Sequence, residues 1–260
     1  MSTFFSVIAT ILGALVGSFL NVVILRLPEP GSSIVFPGSH CPACKAPIRW
    51  FDNIPVLSFL ILGAKCRSCR QLISWQYPLV EIAMALLSFA LYRKFLFTPL
   101  FLGYFLFCAA LLAIIFIDFR LQIIPDRITL PGIVLGFGFS FINPQVTWSA
   151  SGLGLLCGGG VLYLIAGGYY FITKREGMGF GDIKLLAMIG AFLGWQSLLF
   201  VIFFSSLLGT LVGIPAMIRQ KKGGRTVIPY GPFLSLAAMA YLFFSETIVR
   251  LWQMFLLPAA

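Results

Sequence analysis

The sequence predicts an all-α polytopic membrane protein: about eight transmembrane helices, with a small cytosolic module inserted between helices 1 and 2. Three observations carry that fold class. Of 260 residues, 60% are hydrophobic and only 10% charged, with a mean hydropathy of +1.00. Apolar runs near 18 residues recur along the chain, and that balance means membrane spans rather than a soluble core. The basic residues collect in alternate loops, and the single long polar segment carries two Cys-x-x-Cys pairs.

The apolar runs fall at roughly 4–25, 79–97, 99–117, 128–143, 152–173, 183–196, 197–218 and 232–251. The first is expected to stay as a span rather than act as a signal peptide. It has no Lys or Arg before Arg26 and continues for about 20 residues, past the 7–15 of an h-region. With the N-terminus outside, the loops 26–78, 118–127, 174–184 and 219–231 lie inside and hold fifteen Lys and Arg. Only Arg93, Lys94 and Arg250 fall outside. That asymmetry is the positive-inside pattern. It accounts for the net charge of +10 through topology and anionic headgroups, with no nucleic-acid partner. The boundary between the sixth and seventh runs, near Gly194-Trp195-Gln196-Ser197, is the softest. Glycines spaced by four, Gly13 and Gly17, Gly190 and Gly194, Gly209 and Gly213, suit close helix packing in lipid. The fifth run, with Gly158–Gly160 and Gly167-Gly168, is rich enough in glycine to be a mobile helix instead. No internal repeat of fixed period signals a duplicated transporter.

Three segments follow: 1–26, the first span; 27–78, the module; 79–260, a seven-helix membrane domain. The module carries seven prolines from Pro28 to Pro78 and is too short to build a large core, so it needs a staple. Cys41-Pro42-Ala43-Cys44 and Cys66-Arg67-Ser68-Cys69, with 21 residues between, have the spacing of a four-thiolate zinc site. Disulfide or redox use and unpaired thiols are the alternatives. A reducing cytosol disfavours disulfides, and a periplasmic loop would favour them. Lys45, Lys65, Arg67 and Arg70 either offset the thiolate charge or are solvated surface. His40 is a spare ligand at most. Cys108 and Cys157, inside spans, read as small buried hydrophobes.

Asp118 closes the run Leu111–Ile117, and Asp182 opens Ile183–Gly194 within Gly179-Phe180-Gly181-Asp182. Aspartate costs about 2.5–3.5 kcal/mol at the centre of a span, so two at one membrane boundary suggest a pair kept for chemistry. Glycines beside Asp182 let backbone and substrate approach closely. Neighbouring carboxylates split their titration. One can then serve as a base for water while the other donates to a carbonyl, the division of labour of aspartic proteases. The bland readings remain open. Asp118 can simply end a span and pair with Arg120. Asp182 and Asp126 can each cap a helix. Lys184 can tune the pair or touch headgroups. Glu81 and Asn21 can line a second polar site or hydrogen-bond between helices. Glu246 is expected to reach the membrane interface or Arg250.

Read together, these residues resemble the bacterial type IV prepilin peptidases, intramembrane aspartic proteases of the Gly-x-Gly-Asp type, over nearly the whole chain. The likeness runs through Gly17-Ser18-Phe19-Leu20-Asn21 to Arg26-Leu27-Pro28, the first cysteine pair, Asp52-Asn53-Ile54-Pro55-Val56-Leu57-Ser58, the second pair, and Tyr77-Pro78-Leu79-Val80-Glu81. It continues with Ile117-Asp118, Ile124-Pro125-Asp126, Gly179-Phe180-Gly181-Asp182-Ile183-Lys184-Leu185 and Pro229-Tyr230-Gly231-Pro232-Phe233. The resemblance implies a multi-pass protein of the bacterial inner membrane that cuts the basic leader from prepilins and pseudopilins after a glycine, on the cytosolic side. It implies Asp118 and Asp182 as the catalytic pair, with Gly179, Gly181 and Lys184 as supporting motif. Cys41, Cys44, Cys66 and Cys69 become the ligands of a structural zinc. A second implied activity is N-methylation of the exposed residue, usually phenylalanine, from S-adenosylmethionine; no donor-binding residues are recognisable. Glu29, Asp52 or Glu176 would offset the leader's charge against a basic surface. The rivals are a proton-coupled transporter using both aspartates as a relay, and a membrane methyltransferase in which they are structural.

Overall fold

The computed structural model describes residues 2–174, 179–220 and 229–256. It is helical throughout its long elements: α1 Ser2–Arg26, α2 Leu57–Ile61, α3 Gln76–Phe95, α4 Pro99–Leu121, α5 Asp126–Phe139, α6 Trp148–Thr173, α7 Phe180–Leu193, α8 Gln196–Gln220 and α9 Gly231–Leu256. Each of the eight apolar runs becomes a helix. Five of these, α1, α4, α6, α8 and α9, are long and apolar enough to cross a membrane, and the chain is a membrane protein. Arg175, Glu176, Lys221, Lys222 and Arg225 lie outside the described residues.

The chain divides into two compact units, Met1–Ala113 and Ile114–Ala260. In the first, α1 lies against α3. A Cβ on Gly13 would come within 2.6 Å of Met84 O, and one on Gly17 within 2.7 Å of Glu81 Cα, so only glycine permits this approach. Ser88 Oγ closes the seam by donating to Ala9 O (2.6 Å). Between these helices stands the cysteine module. Its two knuckles are built alike, at an offset of 25 residues. Cys41 N donates to Ala46 O as Cys66 N does to Gln71 O, and Lys45 and Arg70 turn the chain at positive φ.

In the second unit α7 is the hub, packed by α5, α6 and α9 and buried from Leu185 to Leu193. That all-round burial explains its lack of any polar face. Gly154 of α6 and Gly190 of α7 touch backbone to backbone, Gly158 sits on Leu186 O, and Ser151 Oγ donates to Ala191 O (2.6 Å). On the other side Gly132 and Gly136 of α5 seat Met188 and Phe192. The small residues of α6 are therefore divided: Gly154 and Gly158 pack, while Gly160, Gly167 and Gly168 face open space. The soft boundary after α7 resolves into a break. Gly194, at φ +78°, ends α7 by donating to Gly190 O (2.9 Å), and α8 begins two residues later. Cys108 is buried as expected, but Cys157 lies exposed on the outer face of α6.

Candidate active site

Asp118 does not terminate its helix. It sits in the last turn of α4, which continues to Leu121, and it is only 4% exposed. Its partner is not Arg120: Asp118 Oδ2 accepts the backbone N–H of Gly231 (3.0 Å), the first residue of α9. That N–H has no acceptor within its own helix, so the carboxylate satisfies an orphan donor at the positive end of the helix dipole. Gly231 is required for the contact. A Cβ there would lie 2.7 Å from Asp118 Oδ2 and 3.0 Å from Ile124 Cδ1. Tyr230 pins the preceding turn to α8, its hydroxyl hydrogen-bonded with Ser205 Oγ (2.7 Å) and Ser206 Oγ (3.2 Å).

Asp182 is the third residue of α7, whose N-cap is Gly179, so it does not cap the helix itself. It too stands at a helix N-terminus. Its Oδ2 lies beside Gly179, 3.6 Å from where a Cβ would stand, and its Oδ1 is buried with no partner among the described residues. Asp182 lies within electrostatic reach of Asp118. The Ile124 side chain joins the two sides. It presses on Gly231 and also on Gly181, where a Cβ would come within 2.8 Å of Ile124 Cβ.

Lys184 turns away from this pair to Asp126 and meets both of its oxygens (2.7 and 2.8 Å). Asp126 is the first residue of α5, whose N-cap is Pro125, and is half-exposed. It is an ion-pair partner that ties α5 to α7. Asp52, one of the acids expected to meet a basic leader, is held bidentately by Arg67 (2.6 and 2.8 Å), which keeps its carboxyl below the usual range. Glu29 is exposed and accepts from Ser32 Oγ (3.3 Å).

The four cysteines converge, their sulfurs all within 4.8 Å of one another, with Cys41 and Cys69 at 3.8 Å. A zinc–sulfur bond of about 2.3 Å gives a regular tetrahedron with edges of about 3.8 Å, so the donor set fits that ion, whereas a disulfide needs about 2.05 Å. The Cys44 backbone N–H holds the Cys41 thiol down to about 6, which favours the thiolate a metal needs. His40 turns instead to the Gly38 carbonyl (3.0 Å).

Gly231, Tyr230 and Ile124 belong to motifs quoted above, yet nothing in their residue types announced their part in the site. The available signal was the glycine between two prolines in Pro229-Tyr230-Gly231-Pro232, a mark of close backbone approach.

Comparison with known proteins matches residues 11–95 to the bacterial peptidase A24 N-terminal domain and residues 105–214 to the type IV leader peptidase family. A prepilin leader peptidase/N-methyltransferase of Aeromonas hydrophila is 37% identical over 91% of this chain and 89% of its own length. Proteins of the same name from Pseudomonas aeruginosa and Neisseria gonorrhoeae are 38% and 36% identical, the first covering 94% of this chain and 92% of the relative, the second 91% and 90%. No solved structure matches the chain.

Proposed function

The chain belongs to the type IV leader peptidase family, and on that premise we propose that it is an intramembrane aspartic endopeptidase. Its substrates are prepilins and pseudopilins, cut after a glycine on the cytosolic side, and it methylates the new N-terminus from S-adenosylmethionine. The observation that carries the first activity is the pair of buried Asp118, which holds the N-terminal N–H of α9, and half-buried Asp182, in the first turn of α7 with one oxygen buried, neither facing a cation among the described residues. Their hydrogen bonding divides the labour. Asp118, already holding an N–H, is the charged base that takes a proton from water. Asp182, with an oxygen free to carry a proton, donates to the scissile carbonyl. Collapse of the tetrahedral adduct then returns a proton to the leaving amine.

In this reading the N-terminus faces the outside of the bacterial inner membrane and the cysteine module faces the cytosol, following the basic loops. Cys41, Cys44, Cys66 and Cys69 would hold zinc, which cross-links the module and takes no part in hydrolysis. Asp52 and Arg67 brace the module from within. Nothing observed favours a proton-relay transporter.

Cleavage of a purified prepilin tests the assignment. Asp118→Asn and Asp182→Asn are each expected to abolish it, and Asp126→Asn, which changes only an outer ion pair, to leave it. Cleavage that survives in either of the first two removes that residue from the mechanism.

A further inference from the structure

Of the seven acidic groups among the described residues, three face a cation and a fourth is solvent-exposed. Asp52 faces Arg67, Asp126 faces Lys184, Glu246 faces Arg250 (3.8 Å), and Glu29 stands in water. Asp118 and Asp182 are assigned to hydrolysis in the proposal above. One acid is left over, Glu81 of α3, 7% exposed and with no cation beside it. A buried carboxylate held by the Val56 N–H and the Ser18 hydroxyl, with no cation beside it, does not recover all that it loses on leaving water.

Its surroundings are polar and built. Glu81 Oε2 accepts the N–H of Val56 (2.7 Å), a β-branched residue held at φ +63°, ψ −48°, a conformation such residues avoid. Gly17 brings α1 against the Glu81 backbone. One turn further along α1, Asn21 is 1% exposed. Its Nδ2 donates to Gly17 O (3.3 Å) and Tyr77 O (3.1 Å), while its Oδ1 is buried with no partner among the described residues. Tyr77 and Glu81 are one turn apart on α3, which puts the orphan oxygen and the cation-free carboxylate at neighbouring turns of the same seam. A negative group and a free acceptor side by side call for a cation that carries N–H donors.

We propose that Glu81 and Asn21 form the methyl-transfer site, holding the free α-ammonium group of the cut substrate. The inference rests on the methyl-transfer reading above and adds the site. Glu81 takes a proton from the ammonium. The amine lone pair then attacks the methyl carbon of the sulfonium donor. An N–C bond forms, the C–S bond breaks with its electron pair left on sulfur, and a neutral thioether departs. The product is a methylated ammonium, and the proton on Glu81 passes to water.

The test uses full-length protein in detergent and a pre-cut peptide beginning with phenylalanine, either with a free α-amine or N-acetylated. Binding is followed by fluorescence anisotropy, and methylation by transfer from labelled S-adenosylmethionine. Wild type is expected to prefer the free amine by about tenfold or more, as charge-assisted hydrogen bonds dictate. Glu81→Gln keeps an oxygen for Val56 N–H but should lose that preference and about a hundredfold in methylation, the scale of a missing general base. Asn21→Val should lose part of the preference. Undiminished amine preference in Glu81→Gln overturns the proposal, whether or not donor affinity falls. So does an equal loss of binding for both peptides, which marks a packing role. A wild type that prefers the amine through Glu81 yet never methylates refutes the second activity and leaves an amine-binding site.

Discussion

Replacing Gly231 by alanine puts one methyl group into the contact on which Asp118 depends. The new Cβ would stand 2.7 Å from Asp118 Oδ2 and 3.0 Å from Ile124 Cδ1. The isoleucine methyl can yield a few tenths of an ångström. The carboxylate cannot yield and keep its 3.0 Å bond to the Gly231 N–H. A hydrogen bond to a charged group contributes about 1.5–3 kcal/mol. At about 1.4 kcal/mol per decade, its loss from the proposed water-activating base predicts a fall in kcat of about 10- to 150-fold. Steady-state prepilin cleavage measures this, with thermal melting in the same detergent as the check on folding. Gly138→Ala is the control, because a Cβ at that position of α5 meets nothing within 4 Å. A Gly231→Ala enzyme within about twofold of wild type in kcat would refute the argument that this N–H sets the Asp118 carboxylate.

Gly190→Ala drives a methyl into the backbone of Gly154, and overpacking of this kind costs about 1–3 kcal/mol, so the melting temperature should drop. Gly160→Ala, facing open space, should leave melting unchanged or higher. The Lys184–Asp126 pair is partly exposed, so a double-mutant cycle of Lys184→Met and Asp126→Asn should give a coupling of only about 0.2–1 kcal/mol in stability. Cleavage should survive in both single variants, and its collapse in Lys184→Met alone would return that lysine to the aspartate pair. Elemental analysis should find one zinc per chain, lost in Cys41→Ser or on chelation, with methylation failing before hydrolysis. Full methylation by a metal-free chain would remove the zinc assignment.

The helices were legible because apolar length is a local property: each predicted run became a helix, with ends shifted by a few residues. The four thiols were legible because ligand spacing is local too, and their meeting required only that the two knuckles face each other. Contacts between distant segments were not. Gly231 lies 113 residues from Asp118, and no periodicity in either segment encodes that its N–H will meet a carboxylate. Lys184 sits two residues after Asp182 in sequence, which suggested that it acts on the pair. On a helix, however, residues two apart point to different sides, and the lysine reaches α5 instead. The same geometry moved capping from Asp182 to Gly179, because a glycine at the N-cap leaves the acid free inside the first turn.

In the proposed mechanism, the shortness of α7 accounts for how water would reach the aspartate pair. Fourteen residues at 1.5 Å each cover about 21 Å, against a hydrocarbon layer of about 30 Å. A passage through the membrane built on this helix must therefore be completed by irregular backbone. Such backbone is tolerated at membrane depth only where protein buries it or where it borders a water-filled space. The N-terminal end of α7 is where Gly179 and Gly181 remove side chains and where Asp182 keeps an unpaired oxygen. A longer helix would have closed that end with its own hydrogen bonds and left an acid facing lipid. The short one leaves Asp182 with an unpaired oxygen near the N-terminus of α7, and in the proposed mechanism the glycines make room for an extended peptide while the helix N-termini favour negative charge as it develops. The proposed hydrolysis in a membrane needs water, a base and room for a backbone in one place, and a helix too short to span would leave space for all three at its N-terminal end.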